Sequence, residues 1–202
     1  MTTSTRLLFL PGAGGDPRFW HPLGGLLPGT REHTFLAWPG LGEQPPSADV
    51  RGFDDLVRLV EERMGDGPVD LLAQSMGGPV ALQVALRNPG RVHRLVLAAT
   101  SGGVDVSGLG GADWRPDYRR QFPRAAAWIT DARPELTDLL PSIIQPTLLL
   151  WGDADPISPL AVGQRLQQLL PHATLVVVPG GDHAMVHDRP HDIAEVIVRH
   201  LQ

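Results

Sequence analysis

Short apolar runs alternate with longer segments of mixed polarity along the chain, and this alternation predicts the class of fold. The runs are four or five residues long, which is typical of strands buried in a parallel sheet. Six such runs occur, at residues 7–10, 34–38, 70–73, 95–99, 147–151 and 174–178. Apolar residues recur every three or four positions, as in helices packed on a sheet, in segments 53–64, 76–88, 159–170 and 189–201. We therefore predict an α/β protein with a mainly parallel sheet of six strands and helices on both faces.

Residues 101–145 break this rhythm, because no convincing strand occurs there and glycines are frequent at the start of the segment. We predict that it forms a short helical cap, an excursion across the top edge of the sheet. Short helices are predicted over residues 114–122, 124–130 and 135–142, separated by Pro123 and Pro134. The whole chain, residues 1–202, is predicted to be one domain that contains this cap.

Composition is typical of a soluble globular protein and narrows the possible chemistry. Hydrophobic residues make up 42% of the 202 residues, charged residues make up 19%, and the net charge is -5. The positive residues are all arginines scattered along the chain, so we predict no nucleic-acid partner. The absence of cysteine excludes disulfides, thiolate metal ligands and a thiol nucleophile. The first apolar run is too short for a signal peptide or a membrane span, so we expect a cytoplasmic protein with no membrane partner.

A serine flanked by small residues gives the sharpest chemical signal. Ser75 follows the third apolar run and precedes a predicted helix, with Ala73 two positions before it and Gly77 two positions after it. This pattern is typical of a nucleophile elbow, a strained turn that exposes a serine hydroxyl between a closely packed strand and helix. Alanine replaces the usual glycine at position 73, and one methyl group is the smallest such departure. The alternative is a serine that only caps the helix.

A glycine-rich loop, residues 10–15, directly follows the first strand. Such a loop can aim backbone N–H groups at a developing negative charge. We predict that the N–H groups of Ala13 and of Met76, the residue after the serine, form an oxyanion hole. A dinucleotide-binding loop is the alternative, but Pro17 occupies the third glycine position of that motif. The next strand also ends in Trp38-Pro39 instead of an acidic residue, which disfavours a dinucleotide further.

The loops after the fifth and sixth strands supply two carboxylates and a histidine. Asp153 and Asp155 follow the fifth run, and His183 follows the sixth beside glycines that permit sharp turns. A carboxylate that orients an imidazole makes it an effective base for a serine hydroxyl. These residues are therefore candidates for the rest of a catalytic triad.

A metal site is the alternative use of this histidine. The candidate ligands are three histidines spaced by four residues and two neighbouring aspartates: His183, His187, His191, Asp182 and Asp188. One continuous helix would gather them on one face, but Pro190 and the glycines before the first histidine argue against such a helix. The His-Glu-x-x-His pattern is also absent, so we predict neither a metal nor a cofactor.

Together these motifs resemble the α/β-hydrolase family. The resemblance rests on segments 11–15, 73–77, 152–159 and 182–183, and on the order Ser, Asp, His. It implies a strand order of 2-1-3-4-5-6, with Ser75 as nucleophile, His183 as base and Asp155 as acid. The family's aspartate typically stands four residues before a proline, as Asp155 does here, and Asp153 and Asp105 remain alternatives. The implied family member is a small serine esterase with a reduced cap.

The resemblance implies hydrolysis through an acyl-enzyme, with an acyl ester and water as reactants and no cofactor. We expect a carboxyl esterase that acts on small to medium acyl esters, because a simple ester requires the fewest specific contacts in the pocket. Thioesterase, lactonase and carbon–carbon bond hydrolase activities on the same triad are alternatives. A non-catalytic ligand-binding member of the fold is a further alternative.

Aromatic residues of the cap and a methionine near the histidine are candidates for the substrate pocket. Trp114 and Tyr118 stand four apart on one predicted helix, Trp128 lies on the next, and Met185 follows His183 by two positions. We predict that these four residues line the pocket, since ligand sites are lined mainly by such side chains. Packing between cap and sheet explains the same spacing, and for Trp128 it is the favoured interpretation. The arginines of the first helix are interpreted as a solvated face and not as a site for a substrate carboxylate: Arg115, Arg119 and Arg120.

Overall fold

The protein is built on a parallel sheet of six strands. The computed structural model describes residues 6–131 and 134–202. Within these ranges the strand order is β2-β1-β3-β4-β5-β6 and all neighbouring strands are parallel. The strands are β1 (Arg6–Leu10), β2 (His33–Phe35), β3 (Val69–Gln74), β4 (Val92–Ala98), β5 (Thr147–Gly152) and β6 (Ala173–Val178). The predicted fold class and strand order are confirmed.

The longer helices lie where the apolar periodicity predicts them. The helices are α1 (His21–Gly24), α2 (Phe53–Arg63), α3 (Gly77–Arg87), α4 (Arg115–Gln121), α5 (Trp128–Asp131), α6 (Leu160–Leu169), α7 (Met185–Asp188) and α8 (Pro190–His200). Short 3-10 turns cover Pro17–Trp20 and Leu140–Ser142. Helices α2, α3, α6 and α8 each begin and end within one residue of the predicted bounds. In the two described ranges, no helix has both the length and the apolar character needed to cross a membrane.

Side chains at alternate positions along the strands belong to two separate apolar cores, one on each face of the sheet. Leu8 and Leu10 belong to the core that also contains buried residues of α2, α3 and α6. Leu7 and Phe9 belong to the core that contains buried residues of α1 and α8. This alternation follows from the two-residue period of a strand. The central strands are therefore packed on both faces, and they provide a rigid base for the loops at their carboxyl ends.

The two edge strands are less buried and, in one case, shorter than predicted. All three residues of β2 are half-buried, and most of β6 is half-buried or exposed. Each edge strand has a neighbour on one side only, so less of its surface is covered. The strand predicted over 34–38 ends at Phe35, because the chain then turns away from the sheet. Trp38 lies in the following loop, where its indole Nε1 donates to the Pro11 carbonyl at 2.7 Å.

The cap contains less helix than the sequence predicts. Helix α4 fills most of the first predicted segment, but the second yields only the single turn of α5 and the third only the 3-10 turn at Leu140–Ser142. The predicted cap also includes residues 132 and 133, which lie outside the described residues.

Two backbone hydrogen bonds connect the cap to the sheet loops. The Ala112 N–H donates to the Pro156 carbonyl, and the Ala126 N–H donates to the Gly40 carbonyl, each at 2.7 Å. Ala126 would lie in the first turn of a helix over 124–130, where an N–H has no acceptor within the helix, and here this N–H bonds to the loop after β2. The cap is therefore attached to the loops after β5 and β2 by its own main chain.

Candidate active site

Ser75 occupies a strained turn between β3 and α3. Its φ angle is +51°, in the left-handed region that costs a residue with a Cβ about 1–3 kcal/mol. The surrounding backbone holds it there, because the Ser75 N–H donates to the Ala98 carbonyl at 3.0 Å and the Ser75 carbonyl accepts from Gly78 N–H at 3.0 Å. The Thr100 hydroxyl also donates to the Ser75 carbonyl, at 2.5 Å. The turn lifts the serine hydroxyl out of the sheet and towards the loops.

Close packing around this turn explains the small residues of the motif. A Cβ at Gly77 would lie 2.7 Å from the Pro11 carbonyl oxygen, and one at Gly78 would collide with the Thr100 hydroxyl. Ala73, the one departure from the motif, is fully buried in the main core, so its methyl group is accommodated. The elbow geometry therefore forms without a glycine at position 73.

Ser75, His183 and Asp155 lie in one line of hydrogen-bonding distances. His183 Nε2 is 3.0 Å from Ser75 Oγ, and His183 Nδ1 is 2.8 Å from Asp155 Oδ2. The second carboxylate oxygen, Asp155 Oδ1, accepts from the N–H groups of Ile157 and Ser158 at 2.8 and 3.0 Å. The Asp155 side chain is fully buried, and these partners satisfy a carboxylate that burial would otherwise destabilise.

The structure places the two alternative aspartates elsewhere. Asp153 Oδ1 accepts from the Gly180 N–H at 2.6 Å, which links the loop after β5 to the loop that carries the histidine. A second link is the bond from Ala154 N–H to the Gly181 carbonyl at 3.0 Å. Asp105 instead accepts from the N–H and hydroxyl of Ser107. Asp155 is thus the carboxylate brought to the histidine, and Asp153 steadies the loop around it.

Sequence reasoning missed a further contact to the histidine, made by Gln74. Its side-chain Nε2 donates to the His183 carbonyl at 3.1 Å, and the residue is buried. A Cβ at Gly12 would collide with the Gln74 amide oxygen and lie 3.1 Å from Ser75 Cβ. A buried polar residue directly before the candidate nucleophile is the sequence signal that points to this contact.

The predicted oxyanion donors lie in the loop and turn around Ser75. In the described part of the chain, the N–H groups of Ala13 and Met76 donate to no protein acceptor. Two tryptophan side chains fix the carbonyls at the start of the loop. The Trp20 indole donates to the Leu10 carbonyl at 3.0 Å, and the Trp38 indole donates to the Pro11 carbonyl. The two N–H groups are therefore left available to a ligand.

A cavity of about 910 Å³ opens beside this arrangement, with Ser75 and His183 in its wall. Trp114, a predicted pocket residue, lies in the same wall. Further apolar wall residues come from separate segments of the chain, so no local periodicity reveals them: Phe53, Val104, Val106, Ile129, Ile157 and Val162.

Tyr118, Trp128 and Met185, the other residues predicted for the pocket, do not lie in the wall of this cavity. Tyr118 turns towards the loop after β1, where its hydroxyl donates to the Ala13 carbonyl. Trp128 packs against the main core, and Met185 is fully buried in the core on the opposite face of the sheet. Proximity in sequence to His183 placed Met185 near the site, but α7 points its side chain inward.

Charged groups at the cavity wall are mostly acidic. The wall contains Asp105, Asp113 and Glu135 together with a single described arginine, Arg115. Arg115 is paired with Asp113 at 2.8 Å and also donates to the Thr130 carbonyl at 3.1 Å. The neighbouring arginines of α4 are paired with acidic residues of the cap at its surface: Arg119 with Asp131 and Arg120 with Asp117.

The geometry does not favour a metal at the histidine cluster. His187 Nδ1 lies 2.9 Å from the Phe19 carbonyl, and its ring stacks on Phe19 at 5.6 Å between centroids. His187 lies on α7 and His191 on α8, two separate helices. Across residues 6–131 and 134–202, no group of three or more potential ligand side chains is arranged to hold a metal ion.

Comparison with known proteins identifies the family. Residues 7–196 match the model of the alpha/beta hydrolase family, and the chain belongs to that family. Among its relatives, a pimeloyl-[acyl-carrier protein] methyl ester esterase from Neisseria meningitidis serogroup B is 28% identical over 227 residues, covering 89% of this chain and 86% of that protein. The polyketide synthase ThaQ of Burkholderia thailandensis is 28% identical over 228 residues, covering 89% of this chain but only 11% of the synthase.

Solved structures agree on the fold. The structure of a thermophilic esterase from Thermogutta terrifontis superposes with a TM-score of 0.76 and 23% identity, covering 98% of this chain and 89% of that one. The protein is therefore an alpha/beta hydrolase, with relatives that include esterases.

Proposed function

We propose that this protein is a serine hydrolase that cleaves esters of uncharged, small to medium acyl chains. The observation that carries the proposal is the line from Ser75 through His183 to Asp155, at 3.0 and 2.8 Å, in the wall of an open cavity. A base within hydrogen-bonding reach of a hydroxyl, itself oriented by a carboxylate, is the arrangement needed for nucleophilic catalysis.

The proposed reaction begins with proton transfer from the Ser75 hydroxyl to His183 Nε2 as Ser75 Oγ attacks the ester carbonyl. Asp155 holds the proton on His183 Nδ1 and stabilises the resulting imidazolium. The N–H groups of Ala13 and Met76 donate to the oxyanion of the tetrahedral intermediate. The imidazolium then protonates the alkoxide oxygen of the breaking C–O bond, the alcohol leaves, and the acyl group remains on Ser75 Oγ.

Water completes the cycle by the same route. His183 takes a proton from the water that attacks the acyl-enzyme, and returns a proton to Ser75 Oγ as the acid leaves. One ester and one water give one acid and one alcohol, so no cofactor is required.

The nature of the wall supports an uncharged acyl chain. Trp114 and the aliphatic residues of the cap and strand loops offer apolar contact, which favours hydrocarbon. Asp105 and Glu135 lie in the same wall without a described arginine partner, so a substrate carboxylate would meet like charge. Support for an ester as the bond cleaved comes from the relative named as a methyl ester esterase.

The proposal is tested with an active-site fluorophosphonate and a panel of p-nitrophenyl esters. We expect a single covalent adduct, located by mass spectrometry on Ser75, and saturable hydrolysis of esters with acyl chains of about two to twelve carbons. Thioesters and lactones of the same acyl groups are compared in parallel. A chain that is neither labelled nor active on any of these substrates would instead be a ligand-binding member of the family.

Replacement of Trp114 by alanine is expected to change the preference among acyl chains. Loss of apolar contact in the cavity alters discrimination by about 1–3 kcal/mol for each methylene that it touches. The chain-length optimum of kcat/KM should therefore shift, instead of all esters losing rate equally. The measurement is kcat/KM across the ester series.

Trp128→Ala is the matched control, because Trp128 lies on the same cap but outside the cavity wall. It should lower thermal stability and leave the chain-length profile unchanged. A wild-type profile in Trp114→Ala would show that this tryptophan serves packing only.

A further inference from the structure

The hydroxyl of Tyr118 joins three separate segments of the chain. Tyr118 lies on α4 of the cap and is only 8% exposed. Its hydroxyl donates to the Ala13 carbonyl and accepts from the Gly42 N–H, each at 2.9 Å. One buried phenol therefore connects the cap, the turn after β2 and the loop that carries a proposed oxyanion donor.

Two contacts fix the middle of this loop: a turn bond from the Gly15 N–H to the Gly12 carbonyl at 3.0 Å, and the side-chain bond from Tyr118 to the Ala13 carbonyl. Its first carbonyls are bonded by the indoles of Trp20 and Trp38, and the Gly15 carbonyl accepts from Trp38 N–H. Among the described residues, Tyr118 alone bonds the Ala13 carbonyl. Glycines flank Ala13 on both sides, and glycine allows the widest range of backbone angles.

The second contact of the hydroxyl ties the turn to the same point. Gly42 has a φ angle of +54°, and a Cβ there would collide with the Gly14 carbonyl, so the turn packs directly on the loop. The Tyr118 hydroxyl accepts from the Gly42 N–H while donating to Ala13, and thereby fixes the turn and the loop relative to each other.

We propose that Tyr118 is a positioning residue for the oxyanion hole: it holds the Ala13 backbone so that the Ala13 N–H points at the reacting carbonyl. This inference rests on the proposed function. It does not require Tyr118 to touch the substrate, in keeping with its position outside the cavity wall. A misplaced donor weakens binding of the tetrahedral intermediate and leaves binding of the ester almost unchanged.

The protonated hydroxyl is the form that does this work, since a phenolate has no proton to donate to a carbonyl. Burial raises the pKa of Tyr118 above its ordinary value, so the hydroxyl remains a donor through neutral and mildly alkaline pH.

The first test is Tyr118→Phe, which keeps the ring and removes both hydrogen bonds. The number of active sites is counted by fluorophosphonate titration. We expect kcat per active site to fall about 10-fold to 100-fold, while KM changes by no more than about twofold. The reason is that loss of one oxyanion-hole donor lowers kcat by about 10² to 10³. A trifluoromethyl ketone that forms a tetrahedral adduct should lose affinity by the same factor as kcat.

Phe122→Leu is the matched control. The Phe122 ring lies 5.0 Å from the Tyr118 ring at the end of the same helix, so the change loosens cap packing without removing a bond to the loop. It should lower the melting temperature and leave kcat per site unchanged.

A second test leaves the side chain in place and is informative even if Tyr118→Phe folds poorly. Tyr118 is the only tyrosine in the sequence, so growth on 3,5-difluorotyrosine alters this hydroxyl alone. Fluorination lowers the pKa of the phenol, and its ionisation removes the proton donated to Ala13. The substituted enzyme should therefore lose kcat at alkaline pH where the unsubstituted enzyme does not.

The outcomes separate this inference from the proposed function. A wild-type enzyme that is labelled at Ser75, with Tyr118→Phe equally active per site and an unchanged alkaline profile after fluorination, overturns the inference alone. A raised KM with normal kcat overturns it as well, since that result assigns Tyr118 to substrate binding. Wild-type protein that is neither labelled nor active overturns both.

Discussion

Replacement of Ser75 by alanine is expected to abolish hydrolysis while leaving the fold intact. Triad residues act as a unit, so losing the nucleophile should lower kcat by a factor of about 10⁴ to 10⁶, and His183→Ala should lose nearly as much. The fold should survive because the hydroxyl bonds only to His183 among the described residues, whereas the backbone of the turn is held by Ala98 and Thr100.

The measurements are p-nitrophenyl ester hydrolysis and far-ultraviolet circular dichroism. Ser142→Ala is the matched control, since Ser142 is an exposed cap residue whose hydroxyl, among the described residues, donates only to the Leu139 carbonyl. It should retain full activity. If Ser75→Ala kept as much as about a tenth of wild-type kcat, the proposed mechanism would be wrong, because a triad without its nucleophile retains far less.

Asp155→Asn should cost about 10⁴ in kcat through the wrong histidine tautomer, and Asp153→Asn should cost far less. In the Asp155→Asn variant the amide oxygen can still accept from the N–H groups of Ile157 and Ser158, which turns the amide NH₂ towards His183 Nδ1. That imidazole nitrogen must then be unprotonated, so the proton moves to Nε2. An Nε2 that carries a proton cannot accept one from Ser75.

The Asp153→Asn variant separates the change of the His183 tautomer from simple loss of a negative charge in the same loop. The amide of Asp153→Asn retains an oxygen that accepts from the Gly180 N–H, so the link between the two loops is kept. The two variants are compared by kcat and by the chemical shifts of the His183 ring nitrogens, which report the tautomer directly. A larger loss in Asp153→Asn would reverse the assignment of the acid.

Local motifs carry most of what the sequence predicts about the site. A strand followed by small residues around Ser75 specifies the elbow, because close approach of strand and helix leaves no room for larger side chains. The resemblance to the family, whose aspartate typically stands four residues before a proline, singles out Asp155, which the structure brings to His183. Alternation of apolar runs and amphipathic segments specifies the sheet in the same way, since the central strands are buried on both faces.

Contacts between distant segments carry the rest, and no local pattern encodes them. Tyr118 and Ala13 are 105 residues apart, and Gln74 and His183 are 109 apart, so their hydrogen bonds appear only in the folded chain. The prediction for Tyr118 used helical spacing and placed the ring in the pocket, whereas the buried hydroxyl turned it towards the loop. Met185 lies in the core on the opposite face of the sheet, because the single turn of α7 directs its side chain there.

The attachment of the cap has a consequence for how the substrate preference of such a chain can evolve. The bonds from Ala112 to Pro156 and from Ala126 to Gly40 join main-chain atoms on both sides. Main-chain bonds of this kind survive most changes of side chain, with proline at the donor position the chief exception. Cap side chains can therefore change while the two attachments keep the cap beside the cavity, so single substitutions in the cavity wall can reshape the site without detaching the cap.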